Sequence, residues 1–236
     1  MRKLGTAAAL AALLATAAAA SAQGGWRDKP PAQWTKEEAE QILIDSPWAQ
    51  TVAPGGGAIG LGGTRALSTP DKAITVRLRS ALPVRLAMMR LRQLHEKYDR
   101  MSEPKRAEFD EKNGPLLECP ACADNYVVAL LPPPGGRLTL PRALLSASPA
   151  KVKLYVQLLN DRGERREALH YAPPKSPTGE AVFFFARLGE GGRPLLTTES
   201  RKLVVTVGPE ILEGETRLNR FEFDVAQMLV GGRVEF

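Results

Sequence analysis

Hydrophobic and polar positions change their period along the chain, from helical spacing in the first half to strand alternation in the second. Thr35-Lys36-Glu37-Glu38 reads as a capping box, with the Thr hydroxyl accepting from the Glu38 amide and the Glu38 carboxylate returning to the Thr amide. A helix is therefore predicted from Lys36, with Ala39, Ile42 and Leu43 on one face. Asp45-Ser46-Pro47 stops it, because the residue before a proline is pushed out of helical geometry. Ala73 to Arg79 alternates Ile74, Val76 and Leu78 with polar residues, the period of a half-buried strand. Pro83 then opens an amphipathic helix whose stripe runs Val84, Met88, Leu91, Leu94, Tyr98 and Met101. Arg85, Arg90, Arg92, Lys97 and Arg100 occupy the rest of its surface. Packing explains the stripe, so a core helix with a solvated arginine face is expected rather than a membrane-surface helix. A second helix is predicted from about Glu103 to Lys112, started by Ser102 and Pro104 and closed by Asn113-Gly114.

Strands follow. Tyr126 to Leu131 is a continuous apolar run, and Val152, Leu154, Val156 and Leu158 alternate. Asn160-Asp161-Arg162-Gly163 is a turn that returns a strand through Ala168 to Tyr171. Val182 to Ala186, Leu203 to Val207, Leu218 to Phe223 and Val234 to Phe236 complete the series, and a short helix at about Pro141 to Ser146 interrupts it. The predicted class is α+β, with N-terminal helices followed by a largely antiparallel sheet or β-sandwich-like domain.

Organisation comes from composition. Residues 1–22 have the form of a cleavable secretory signal peptide: Arg2 and Lys3, then an Ala/Leu/Thr run from Ala7 to Ala20 too short to span a bilayer, then the small-x-small site Ala20-Ser21-Ala22. Cleavage after Ala22 is expected, giving a periplasmic or extracellular protein with no integral membrane segment. Residues 23–52 form a Trp-rich helical segment holding all three tryptophans, Trp26, Trp34 and Trp48. Residues 53–72 read as a Gly-rich linker or loop, and 73–236 as the main α+β domain. Gly55, Gly57 and Gly60 satisfy G-x-G-x-x-G, but Pro54 precedes them where a strand should end and no helical pattern follows, so a dinucleotide site is not expected.

Charge narrows the partners. The chain carries 32 Lys and Arg against 26 Asp and Glu, and the leader holds two of the basic residues, which leaves a mild +4. That suits an anionic envelope surface and is too weak and dispersed for nucleic acid.

Candidate chemistry is sparse. Cys119-Pro120-Ala121-Cys122 contains both cysteines, which in an oxidising compartment are expected to pair with each other. A redox-active pair would need Cys119 at a helix N-terminus, and a strand-like run follows instead. Haem attachment would need His at position 123, which is Ala, and a zinc site would need two further ligands from afar. No metal, cofactor or catalytic residue is expected. His95 and His170 read as surface and sheet-face residues, and Glu37, Glu38 and Glu40 as ordinary first-turn acids. The tryptophans would serve either as exposed anchors for a protein or glycan partner or as core packed back on the main domain, packing being the more usual fate of an indole.

Trp34-Thr35-Lys36-Glu37-Glu38-Ala39, Ser46-Pro47-Trp48-Ala49, Ser80-Ala81-Leu82-Pro83-Val84, Phe221-x-Phe223 and Met228-x-x-Gly231 resemble a family of uncharacterised exported proteins of acidobacterial-type bacteria. Gly25-Trp26-Arg27-Asp28 is similar to the GWxTD motif of secreted bacterial proteins, without its Thr. The resemblance implies secretion and an envelope setting and carries over no catalytic residues. The functional expectation is a non-catalytic binding or interaction protein of the bacterial envelope. Alternatives are a periplasmic thiol-disulfide protein using Cys119 and Cys122, or a structural envelope-assembly component.

Overall fold

The computed structural model describes residues 25–52, 73–133, 139–212 and 219–236. The expected leader with its cleavage after Ala22, and the Gly-rich stretch 53–72 with Gly55, Gly57 and Gly60, lie outside the described residues.

The capping box forms as the sequence demands: Thr35 Oγ1 accepts from the Glu38 amide at 3.2 Å and Glu38 Oε2 from the Thr35 amide at 2.9 Å. It starts helix α1, Lys36–Ile44, whose buried residues are Ala39, Ile42, Leu43 and Ile44. The chain then turns at Ser46, whose hydroxyl donates to the Ile42 carbonyl and accepts from the Trp48 amide, and enters strand β1, Ala49–Val52.

Strand β2, Ile74–Leu78, is buried at every position and is not half-buried as its alternation suggested. Its second face carries Thr75 and Arg77, and both have partners. The Thr75 and Thr51 hydroxyls bond each other at 2.8 Å; Arg77 Nε donates to the Leu43 carbonyl at 3.0 Å and Nη1 to Glu180 at 2.8 Å. A polar face can be buried when each of its groups is satisfied, and alternation alone does not reveal that.

Helix α2, Leu82–His95, ends before Tyr98, so Tyr98 and Met101 leave the predicted stripe. Lys97 takes a left-handed conformation, φ 57°, and Tyr98–Arg100 form a short 3-10 turn. Fully buried on α2 are Pro83, Val84, Ala87 and Met89, with Met88, Leu91 and Leu94 only partly covered. Helix α3, Glu103–Glu118, runs through Asn113-Gly114-Pro115 instead of stopping there. Asn113 is buried and bridges two helices, its amide nitrogen donating to the Phe109 carbonyl and its oxygen accepting from Arg92 of α2. That tertiary contact outweighs the local stop signal. The left-handed C-cap falls on Cys119 instead, φ 44°. A four-residue turn of helix, α4 (Ala121–Asp124), follows before strand β3, Asn125–Leu131.

After the short helices α5 (Arg142–Ser146) and α6 (Pro149–Val152), a 3-10 turn, Lys153–Tyr155, leads into strand β4, which covers only Val156–Asn160. Val152 and Leu154 are thus helical and not strand: Ser148-Pro149 starts a helix, proline being pre-organised for a first helical turn. The turn at Asn160–Gly163 forms, with Gly163 at φ 81° and the Asn160 side-chain oxygen accepting from the Arg162 and Glu164 amides. The returning strand splits in two. Arg165–Glu167 (β5) pairs with β4, whereas His170–Ala172 (β6) pairs with Ala181–Ala186 (β7). Lys202–Val207 (β8) and Arg220–Asp224 (β9) follow, and a small hairpin of Leu229–Val230 (β10) and Arg233–Val234 (β11) ends the described chain.

Two antiparallel sheets result, in the orders β1-β2-β3-β7-β6 and β5-β4-β8-β9. Val76, Leu78, Val128, Leu130, Phe183 and Phe185 of the first meet Val156, Leu158, Val205, Val207, Phe221 and Phe223 of the second in one core. Trp26, Trp34 and Trp48 belong to that same core, as do Ile42 of α1 and Val84 of α2. The Trp-rich segment is therefore built into the main body, and β1 is an edge strand of its larger sheet. The opposite face of that sheet carries a second, smaller cluster of Cys122, Val127, Ala129 and Val182.

Glu180 holds both Arg77 and Arg79, each at 2.8 Å, and Arg77 is 6% exposed. Glu180→Ala should lower the unfolding free energy by about 2–3 kcal/mol in urea titration, because it strands the buried Arg77 charge.

Candidate functional site

The three indoles form one edge-to-face cluster, with Trp26 6.0 Å from both Trp34 and Trp48. All three are buried, at 6%, 4% and 1% exposure. Each indole N–H that must leave water needs a carbonyl, and two find one: Trp34 Nε1 donates to the Trp26 carbonyl at 2.8 Å, and Trp48 Nε1 to the Glu235 carbonyl at 2.5 Å. Of the two fates open to Trp26, Trp34 and Trp48, packing holds and free exposure does not; they are core. What they present to solvent is a wall. Arg27 lies over Trp26 and Trp48 at 5.2 and 5.9 Å and donates to the Gln227 carbonyl at 3.3 Å, which fixes it across the cluster.

Two recesses share that wall of Trp26 and Arg27. On one side is an apolar groove of about 370 Å³, bounded by Leu82, Pro83 and Leu86 of α2 and by Leu229 and Val230 of the terminal hairpin. Leu82, Leu229 and Val230 are 37%, 38% and 47% exposed, a concentration of solvent-facing aliphatic side chains around one opening. Val230-Gly231-Gly232-Arg233 supplies the hairpin tip, with both glycines at positive φ, as a two-residue turn requires. On the other side is a polar cleft of about 450 Å³ lined by Gln41, Asp45, Gln50, Asp224 and Gln227. Gln50 crosses its floor to the Glu222 carbonyl, and Asp224 accepts from the Ala226 amide.

Asp45 is a half-buried carboxylate in the cleft. Its carboxylate makes no hydrogen bond or ion pair among the described residues, and burial pushes its pKa up. Its position as C-cap of α1, beside the negative end of the helix, acts in the same direction.

A third cavity, about 240 Å³, lies on the outer face of the larger sheet against the disulfide. Cys119 and Cys122 are bonded, with Cα atoms 5.3 Å apart; Cys122 is buried and Cys119 partly so. Cys122 lies within the short helical turn α4, which precedes β3 where the sequence suggested a strand directly. Cys119 ends α3, so the carbonyl-rich end of a helix faces it, the reverse of the arrangement that favours a thiolate. Arg187 locks the motif to the neighbouring strand, its Nε donating to the Cys122 carbonyl at 2.7 Å.

The remaining candidates are not brought together. His95 is exposed at the end of α2, and His170 is exposed on β6 beside Phe184. Glu38 is occupied by the cap and by Lys29, whose hydrogen bond and charge lower its pKa. Among the described residues no group of three or more His, Cys, Asp or Glu is placed to hold a metal ion, and no helix is long and apolar enough to cross a membrane. Sequence reasoning missed Asp45, which looked like part of a helix stop, and Arg85, which looked like one of a solvated row. Arg77 left no signal either, because its alternation with Val76 and Leu78 reads as a solvent-facing position.

The raised Asp45 pKa sets a sign for pH dependence. Below the ordinary aspartate range the carboxyl is protonated folded and unfolded, and costs nothing. As pH rises the unfolded chain ionises first, so stability falls until pH passes the folded-state value. Asp45→Asn should therefore raise the melting temperature at pH 7, with the gain vanishing at pH values below the ordinary aspartate range. A variant no more stable than the parent at pH 7 would show that the carboxylate has a partner in solution.

Comparison of the chain with protein-family models, with curated proteins and with solved structures found no match.

Proposed function

We propose that the protein is exported to the bacterial envelope and acts there as a non-catalytic binding protein, holding an amphipathic segment of a partner protein across the Trp26–Arg27 wall. The observation that carries this reading is the juxtaposition of an apolar groove and a polar cleft on the two sides of one rigid wall. A segment with one apolar and one polar side would bury the first against Leu82, Leu229 and Val230 and satisfy the second on Gln41, Asp45 and Gln227. The apolar half favours a polypeptide over a glycan, whose hydroxyls would be left unpaired in it. Wall rigidity supports the reading too, since indoles fixed by backbone carbonyls lose no side-chain entropy when a partner docks.

Export is tested by mass spectrometry of the amino terminus in protein recovered from the periplasm and medium. A chain beginning at Gln23 is expected, and one that retains Met1 in the cytosol would defeat the proposal. Binding is tested by a photocrosslinking side chain placed at position 230, and at exposed Leu154 as a control, in the producing bacterium. One discrete protein adduct from position 230 and none from 154 is expected; no adduct, or the same adducts from both, would refute the site. Val230→Asp should reduce that adduct's partner in co-purification by about tenfold, as charge in a hydrophobic interface costs more than 1 kcal/mol.

A further inference from the structure

The cavity beside the disulfide has a composition that neither the groove nor the cleft shares. Its walls are apolar, from Pro115 and Leu116 of α3, Val127 of β3, and Val182 and Phe184 of β7. Two arginines, Arg79 and Arg85, complete it. Arg79 is neutralised by Glu180 at 2.8 Å. Arg85 is not: its Nε donates to the Ser80 carbonyl at 3.3 Å and its Nη1 to the Leu117 carbonyl, and no carboxylate lies within ion-pair distance among the described residues. Those two carbonyls hold the guanidinium in place with part of its donor fork unspent. Glu235 acts on it only from beyond ion-pair distance, and Arg187 opposes that influence in part.

A half-buried guanidinium without an ion-pair partner, at the edge of an apolar recess, complements an anion joined to a hydrocarbon body. We propose that this cavity binds a small amphipathic carboxylate, with the carboxylate on Arg85 and the hydrocarbon against Val127, Val182 and Phe184. At about 30 Å³ per water-sized group, its roughly 240 Å³ accommodates about eight such groups, a medium-length chain and not a full-length lipid. The site is separate from the Trp26–Arg27 wall and independent of the partner proposed there.

Octanoate is the probe, titrated into the whole exported chain and followed by amide NMR shifts, with octanol and octylammonium as controls for hydrophobicity and charge sign. Saturable shifts at Val127, Val182 and Phe184 are expected, with both controls weaker by about tenfold or more. Arg85→Gln should weaken octanoate by about tenfold and Arg85→Lys should recover part of the loss. Because Arg85 also ties α2 to α3, Ala121→Trp provides a second test: Ala121 is exposed and lines the cavity, so the indole would fill it without entering the core, and octanoate binding should vanish. Octanol binding as tightly as octanoate, shifts that map to the Trp26 groove, absence of saturation, or undiminished binding in Ala121→Trp would each overturn the proposal.

Discussion

Burial of the Trp48 indole ties together parts of the chain that are far apart in sequence. It sits between α1 and β1, its ring meets Trp26, and its N–H reaches the Glu235 carbonyl beside the terminal hairpin. An indole of this size brings 150–250 Å² of surface out of water, about 4–6 kcal/mol at the usual coefficient, but only if its N–H is paired. The Glu235 carbonyl meets that condition. Once it does, the segment before β1 and the hairpin after β9 must lie side by side, and the groove between α2 and β10 exists because they do.

The larger sheet depends on a different settlement. Its inner face is ordinary packing of aliphatic and aromatic side chains against the smaller sheet. Its outer face near β1 and β2 is polar yet closed, and Glu180 is what allows this, since one carboxylate answers two arginines. Farther along the same face the cover is apolar and incomplete, built from the disulfide turn over Val127, Val182 and Phe184. The cavity with the uncompensated Arg85 opens where the polar cover ends and the apolar cover begins. The left-handed Cys119 ends α3 at that point, so the geometry of a helix terminus shapes the recess.

The recesses on this molecule are therefore by-products of how its layers close. The groove follows from docking the terminal hairpin against the Trp cluster; the cleft follows from α1 ending at Asp45 above the edge strand β9; the third cavity follows from a helix that stops short of covering its sheet. Each includes a side chain fixed by a structural hydrogen bond, Trp48 in the groove, Gln50 in the cleft and Arg85 in the third cavity, which leaves less to be ordered when a ligand arrives.

Much of the fold was legible in the sequence where local chemistry decides. The Thr35–Glu38 cap, the start of α2 at Pro83, the apolar run of β3, the Asn160–Gly163 turn and the α+β class follow from residues that interact with their own neighbours in the chain. The pairing of the only two cysteines belongs here too, since a separation of three positions leaves little else for them to meet. The readings that failed did so where distant partners override local signals: Asn113 holds α3 past its stop by bonding Arg92, Arg77 makes β2 buried on both faces, and β5 and β6 divide between two sheets. Of the candidate site, the sequence alone marked the tryptophans by their clustering and favoured their burial, but not the carbonyls that permit it, contributed by residues as remote as Glu235. Asp45 and Arg85 carried no mark at all. A charge is distinguished by what fails to neutralise it, and that absence of a partner is a property of three-dimensional packing alone.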